Sequence, residues 1–174
     1  MELSEELKEH AEEARGPFDR KVAVSMAIIA AALAIATVLG HIATTEELVN
    51  QQRAADQWAF YQAKAMRRYQ SEIARDVLAA VGPAGAPKSR EYAANVDRYQ
   101  RESDQVQEKA REFERESERA RRQAMRLHVG ETLLEIAIVL ASLAILTKRR
   151  MIWLSGIVTG AAGALAAATA LLVA

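Results

Sequence analysis

Cysteine is absent from the 174 residues, which excludes a disulfide scaffold and any cysteine-ligated zinc or iron–sulfur site. The chain has only three prolines and eight glycines. Between His41 and His128 they occur solely in Gly82-Pro-Ala-Gly-Ala-Pro87, so one helix break is expected there. No glycine-rich phosphate loop, H-E-x-x-H or G-x-S-x-G is found, so neither an enzyme nor a bound cofactor is expected. Aromatic residues make up 5% of the chain.

Charge is missing in blocks. Of 23 basic and 23 acidic side chains, none lies in Val22–Gly40 or in Met151–Ala174, and only Glu131 and Glu135 lie in Val129–Thr147. A helix needs roughly 20 apolar residues to cross a bilayer core. Three such runs exceed what a soluble core of this size could bury. The expected fold is therefore all-α: a membrane protein with three transmembrane helices (22–40, 129–147 and 151–174). A long antiparallel helical hairpin of coiled-coil type is expected between the first and second spans. Residues 1–21 form an acidic tail with seven acids and four bases, too acidic for a cleaved leader, and Leu3–Arg15 has some amphipathic helical character.

Lys148, Arg149 and Arg150 join the last two spans by a turn of about four residues, which forces these spans antiparallel. Arg15, Arg20 and Lys21 precede the first span, and only Arg53 follows it closely. The positive-inside rule then places the N-terminus in the cytoplasm of a bacterial inner membrane, with the hairpin and C-terminus outside. The expected partners are the lipid bilayer, further copies of the chain, and a protein partner at the hairpin.

The extramembrane segment 41–128 divides at the 82–87 tip into arms of equal length, each about 60 Å long as helix. The second arm carries a stripe stepping by four and three: Tyr92, Val96, Tyr99, Ser103, Val106, Ala110, Phe113, Ser117, Ala120, Ala124 and Leu127. That is a heptad seam. Reflection about the tip sets it against Val77, Ile73, Gln70, Met66, Ala63, Ala59, Asp56, Gln52, Val49, Thr45 and Ile42. Trp58, Tyr61, Ala65 and Tyr69 form a second stripe. They either widen the intramolecular interface or meet another protomer. Gly156, Gly160 and Ala164 make a small-residue ridge suited to close helix packing and self-association. The run REFERESERARR (111–122) alternates sign, so it reads as a solvated helix face and not as a nucleic-acid site.

Glu131 and Glu135 lie one turn apart on a helix, with His128 a turn further out. The same reflection sets His128 opposite His41 and Glu131 opposite Val38. These four ionisable groups are candidates for an ion or proton path, since such residues at membrane depth are costly. In an oligomer the carboxylates would stack as rings. A purely interfacial role is the plainer reading, and a His/Glu metal site a third.

Asp56–Lys64 reads DQWAFYQAK. It resembles the signature of a bacterial three-pass membrane family known only as a domain of unknown function, whose members usually read DQWAYYQAK just after a first span. The resemblance extends to the acidic tail, the charged helical middle and the basic turn between the last two spans. It implies no activity, but it directs attention to Asp56, Trp58, Tyr61, Gln62 and Lys64. This chain departs in having Phe60 in place of Tyr, and Glu135 where the family more often has Gln. The function expected is a self-associating scaffold or interaction module, with an oligomeric cation channel or transporter past Glu131 and Glu135 as the alternative.

Overall fold

The computed structural model describes residues 16–172, so the amphipathic character of Leu3–Arg15 lies outside the described residues. Among the described residues the fold is all-helical, with no strand. Helix α1 runs Pro17–Ala80, α2 runs Ala86–Thr147 and α3 runs Arg150–Ala168, followed by a 3-10 turn at Thr169–Leu172. Pro17 opens α1, where the N–H it lacks would have no helical acceptor. Nothing then stops the helix for 64 residues, because Ala, Glu, Gln, Arg and Leu carry it to the glycine cluster.

Two positions make the α1–α2 turn. Gly82 has φ 85°, a left-handed conformation with little cost only for glycine. A Cβ at Gly85 would overlap the Leu78 carbonyl, so the chain doubles back against its own backbone. The α2–α3 link is shorter than the four residues expected from sequence. Only Lys148, at φ 53°, and the extended Arg149 lie outside the helices.

The chain divides into two compact units: Thr45–Arg119 forms one, and the described residues on either side of it form the other. In Thr45–Arg119, α1 and α2 lie side by side and antiparallel. The Ser117 hydroxyl donates to the Glu47 carbonyl (3.2 Å) and the Ser89 hydroxyl to the Arg75 carbonyl (3.1 Å). Between those ends, Lys64 pairs with Glu102, Arg68 donates to Gln100, and the Arg53 guanidinium sits 5.7 Å from the Phe113 ring centre.

All eleven stripe residues of the second arm are buried or half-buried, but all eleven residues set against them by reflection are exposed. The inward face of α1 is instead Glu47, Asn50, Ala54, Gln57, Tyr61, Lys64, Arg68, Ser71, Arg75 and Leu78. It has the same three-and-four spacing with mostly polar residues. A helix advances about 100° per residue, so a two-residue slip turns the opposite face inward.

Lys64 holds the Glu102 carboxyl below the usual carboxylate range, chiefly by its hydrogen bond and then by its charge, against some desolvation. A depressed folded pKa contributes stability above the unfolded value and loses it as pH falls through the folded one. Acidification below about pH 4.3 should therefore weaken the α1–α2 pairing. In Lys64→Met the acid-induced loss of helical signal should be shallower, and an unchanged pH profile would remove this pair from the account.

The other unit is a three-helix pack with small residues at its contacts. Val22, Ile29, Ala36 and Ala43 recur every seventh residue on α1 and are buried. They face Leu127, Leu134, Ala137, Ala141 and Ala144 of α2. Helix α3 fits by its glycines. Gly156 lies close to the Ala137 carbonyl, Gly160 to Ile29, and Gly163 to the Gly130 carbonyl. Gly163 takes part in this ridge in place of Ala164, which is exposed, and the glycine face packs within the chain. Each helix contains a stretch long and apolar enough to cross a membrane, and only 17%, 28% and 17% of those stretches is buried inside the protein. Apolar side chains such as Ile28, Ile35, Val139, Leu146, Val158 and Leu165 point outward.

Candidate functional site

One polar cluster interrupts this apolar pack, and α1 and α2 build it together. Thr37, His41 and Thr44 succeed one another at helical spacing on α1, and His128 and Glu131 do so on α2. Gly40 is buried between them. The His128 ring lies against it, with Cε1 3.5 Å from where a Cβ would stand, an ordinary contact distance.

The Thr37 hydroxyl donates to Glu131 Oε1 at 2.6 Å. His128 Nδ1 lies 3.1 Å from Glu131 Oε2, and Thr44 Oγ1 lies 3.2 Å from His128 Nε2. One assignment of protons satisfies every group: neutral His128 carries its proton on Nδ1 and donates it to the carboxylate, while the Thr44 hydroxyl donates to Nε2. Adding a proton at Nε2 needs only the Thr44 hydroxyl to turn round. The chain Thr37–Glu131–His128–Thr44 can thus hold or release one proton without losing a partner.

Both oxygens of Glu131 are engaged and its side chain is 21% exposed, so it is tied down and not displayed. His41, on α1 between Thr37 and Thr44, is exposed. Glu135 is exposed one turn along α2 and has no hydrogen bond or ion pair among the described residues. The path candidates therefore divide into Glu131 and His128, which are joined, and Glu135, which is apart from them. The reflected partner Val38 points outward, and Thr37 takes its place beside Glu131. Among the described residues no three His, Asp or Glu side chains gather to hold a metal. Sequence reasoning passed over Thr37 and Thr44, although three polar residues at 37, 41 and 44 along one helix face were available as a signal.

The second set of candidates is also divided. Trp58 Nε1 donates to Glu114 Oε1 at 2.8 Å and the indole meets Tyr61 edge-on, with ring centres 5.6 Å apart. Lys64 reaches Glu102 and lies 5.2 Å from the Phe60 ring centre and 5.8 Å from that of Tyr99. These three side chains face α2. Asp56, Gln62 and Tyr69 are exposed, Asp56 accepting from Gln52 and Tyr69 lying under Arg68.

A family model described as Domain of unknown function (DUF4337) matches residues 18–173, nearly the whole chain. The chain belongs to this family. No curated protein and no solved structure matches it. The match to DUF4337 takes in all three helices, the polar cluster and the α1 segment with Trp58, Tyr61 and Lys64.

Proposed function

We propose that this DUF4337 chain is a three-pass bacterial inner-membrane protein whose extramembrane arms form an antiparallel coiled coil. We propose further that it self-associates through the outer face of α1 and serves as a scaffold. The DQWAFYQAK segment belongs to that outer arm. The N-terminus and the Lys148-Arg149-Arg150 turn are cytoplasmic in this reading, with the arms outside. It assigns the chain no catalytic chemistry.

One observation carries it. Within Thr45–Arg119 helix α1 has two seams on opposite faces, and only the polar one packs against α2. The other runs Ala59, Ala63, Met66, Gln70, Ile73 and Val77 in steps of four and three, all exposed, flanked by Phe60, Tyr69 and Val81. An uncharged heptad seam is the surface a further helix packs into. A second copy is its natural occupant. Membrane anchoring holds copies parallel and at high local concentration, so identical residues come level. At the flanks Gln62 of one copy meets Arg67 of the other and no like charges face each other.

The cysteine-free sequence makes the test direct. Ile73→Cys should crosslink to a symmetric dimer on oxidation in the membrane, while Ser103→Cys, on the buried seam, should not. Met66→Glu with Ile73→Glu and Val77→Glu should lower the dimer fraction by about ten-fold or more at unchanged helix content, since charge would enter an apolar contact. A triple variant with unaltered mass distribution would reject this face. The cation-channel reading is less favoured, because one chain already occupies both Glu131 oxygens and Glu135 shares none of its partners.

A further inference from the structure

An open groove of about 520 Å³ runs beside the first turns of α1, and its residues change character along its length. Arg20 and Lys21 line one end; Val24 and Ile28, one and two turns further along α1, line the other. Trp153 of α3 walls it. That indole is fixed, because its Nε1 donates to Ser25 Oγ at 3.0 Å and Phe18 meets it edge-on at 6.0 Å.

Among the described residues the charge at this end is mostly basic. Near Arg20, Lys21, Lys148, Arg149 and Arg150 there is a single acid among the described residues, Asp19, whose Oδ2 is engaged by Lys148 and whose side chain is 14% exposed. The acid is largely buried while both groove bases remain exposed.

We propose that this groove is a binding site for one anionic phospholipid on the cytoplasmic side, with its phosphate held by Arg20 and Lys21 and an acyl chain lying along Val24 and Ile28 against Trp153. The site rests on the membrane-spanning reading given above. Groove chemistry matches the ligand at both ends: a doubly basic rim suits a phosphodiester, and an apolar floor suits a hydrocarbon chain. Zwitterionic lipids fit less well, because the headgroup's own cation would meet the bases of the α2–α3 turn. Each basic side chain at such a surface is worth about five-fold in affinity.

Trp58→Phe leaves Trp153 as the sole indole and so gives a local probe. The full chain carrying that change is reconstituted in vesicles containing phosphatidylglycerol or phosphatidylcholine brominated on the acyl chain. Phosphatidylglycerol should quench Trp153 at a mole fraction at least about five-fold lower than phosphatidylcholine. Arg20→Gln with Lys21→Gln should remove that preference. Val24→Phe with Ile28→Phe, which fills the groove and keeps every charge, should remove it too. A preference that survives groove filling would mean that only the diffuse basic field acts, and the site would be overturned. Equal quenching of the unfilled protein by both lipids would also overturn it, leaving the spans intact. Quenching by neither lipid would place Trp153 outside the bilayer and sink the membrane-spanning reading as well.

Discussion

Gly130→Val should destabilise the chain by about 3 kcal/mol, the upper part of the overpacking range. A Cβ at Gly130 would stand 2.8 Å from the Ala167 Cβ, the Ala167 backbone nitrogen and the Gly163 carbonyl oxygen. Two of those atoms are backbone of α3, so relief requires the two helices to separate. Removing a mid-helix glycine gains up to about 1 kcal/mol of helix propensity, which is smaller than the clash and does not change the sign. A graded series sharpens the test. Gly163→Ala should also cost stability, since its Cβ would lie 2.9 Å from the Gly130 carbonyl oxygen. Gly160→Ala should be milder, because its nearest neighbour is the mobile tip of Ile29, at 3.1 Å. Ala164→Val, on the exposed side of the same helix, should stay within about 0.5 kcal/mol. Denaturation of the detergent-solubilised protein in a Trp58→Phe background, followed by Trp153 fluorescence, measures all four. Wild-type stability in Gly130→Val would refute the close approach of α2 and α3.

Leu134→Ala should cost about 2–4 kcal/mol. Leu134 is 1% exposed and packs with Ile29, Ala36 and Ala137. Of the seven other residues in and against that cluster, Ala32, Ala36, Ala137 and Ala167 are alanines that cannot extend into the space left behind, so the cavity would stay partly open. If the unit sits in lipid, the cost comes from lost packing contacts and not from transfer out of water, since lipid tails are as apolar as leucine. Leu143→Ala, on an outward position of the same helix, is the control and should change stability by less than about 0.5 kcal/mol. A similar loss from both substitutions would show that Leu134 is not in a packed core.

The polar cluster was half legible. Glu131 and His128 stood out because an acid and an imidazole one turn apart are rare beside an apolar run. Their true partners Thr37 and Thr44 did not, because weak hydroxyl donors raise no alarm in composition or hydropathy. Likewise Trp58 and Tyr61 were visible as a stripe, yet whether they faced inward depended on how far α1 turns about its own axis. The Phe18–Trp153–Ser25 arrangement left no trace in sequence, since its members come from two helices more than a hundred residues apart.

Sequence by itself determined the all-helical class, the single break near residue 82, the three long apolar stretches and the inward face of α2. Each of these follows from local propensity or from one periodicity with no competitor. On α1 there were two stripes of equal spacing, and hydrophobicity favoured the wrong one for contact with α2. Only the tertiary structure chose between them. The tight turn at Gly82 and Gly85, the Lys64–Glu102 and Arg68–Gln100 pairs, and the close glycine contacts each set axial register. On a helix, register and facing are the same variable.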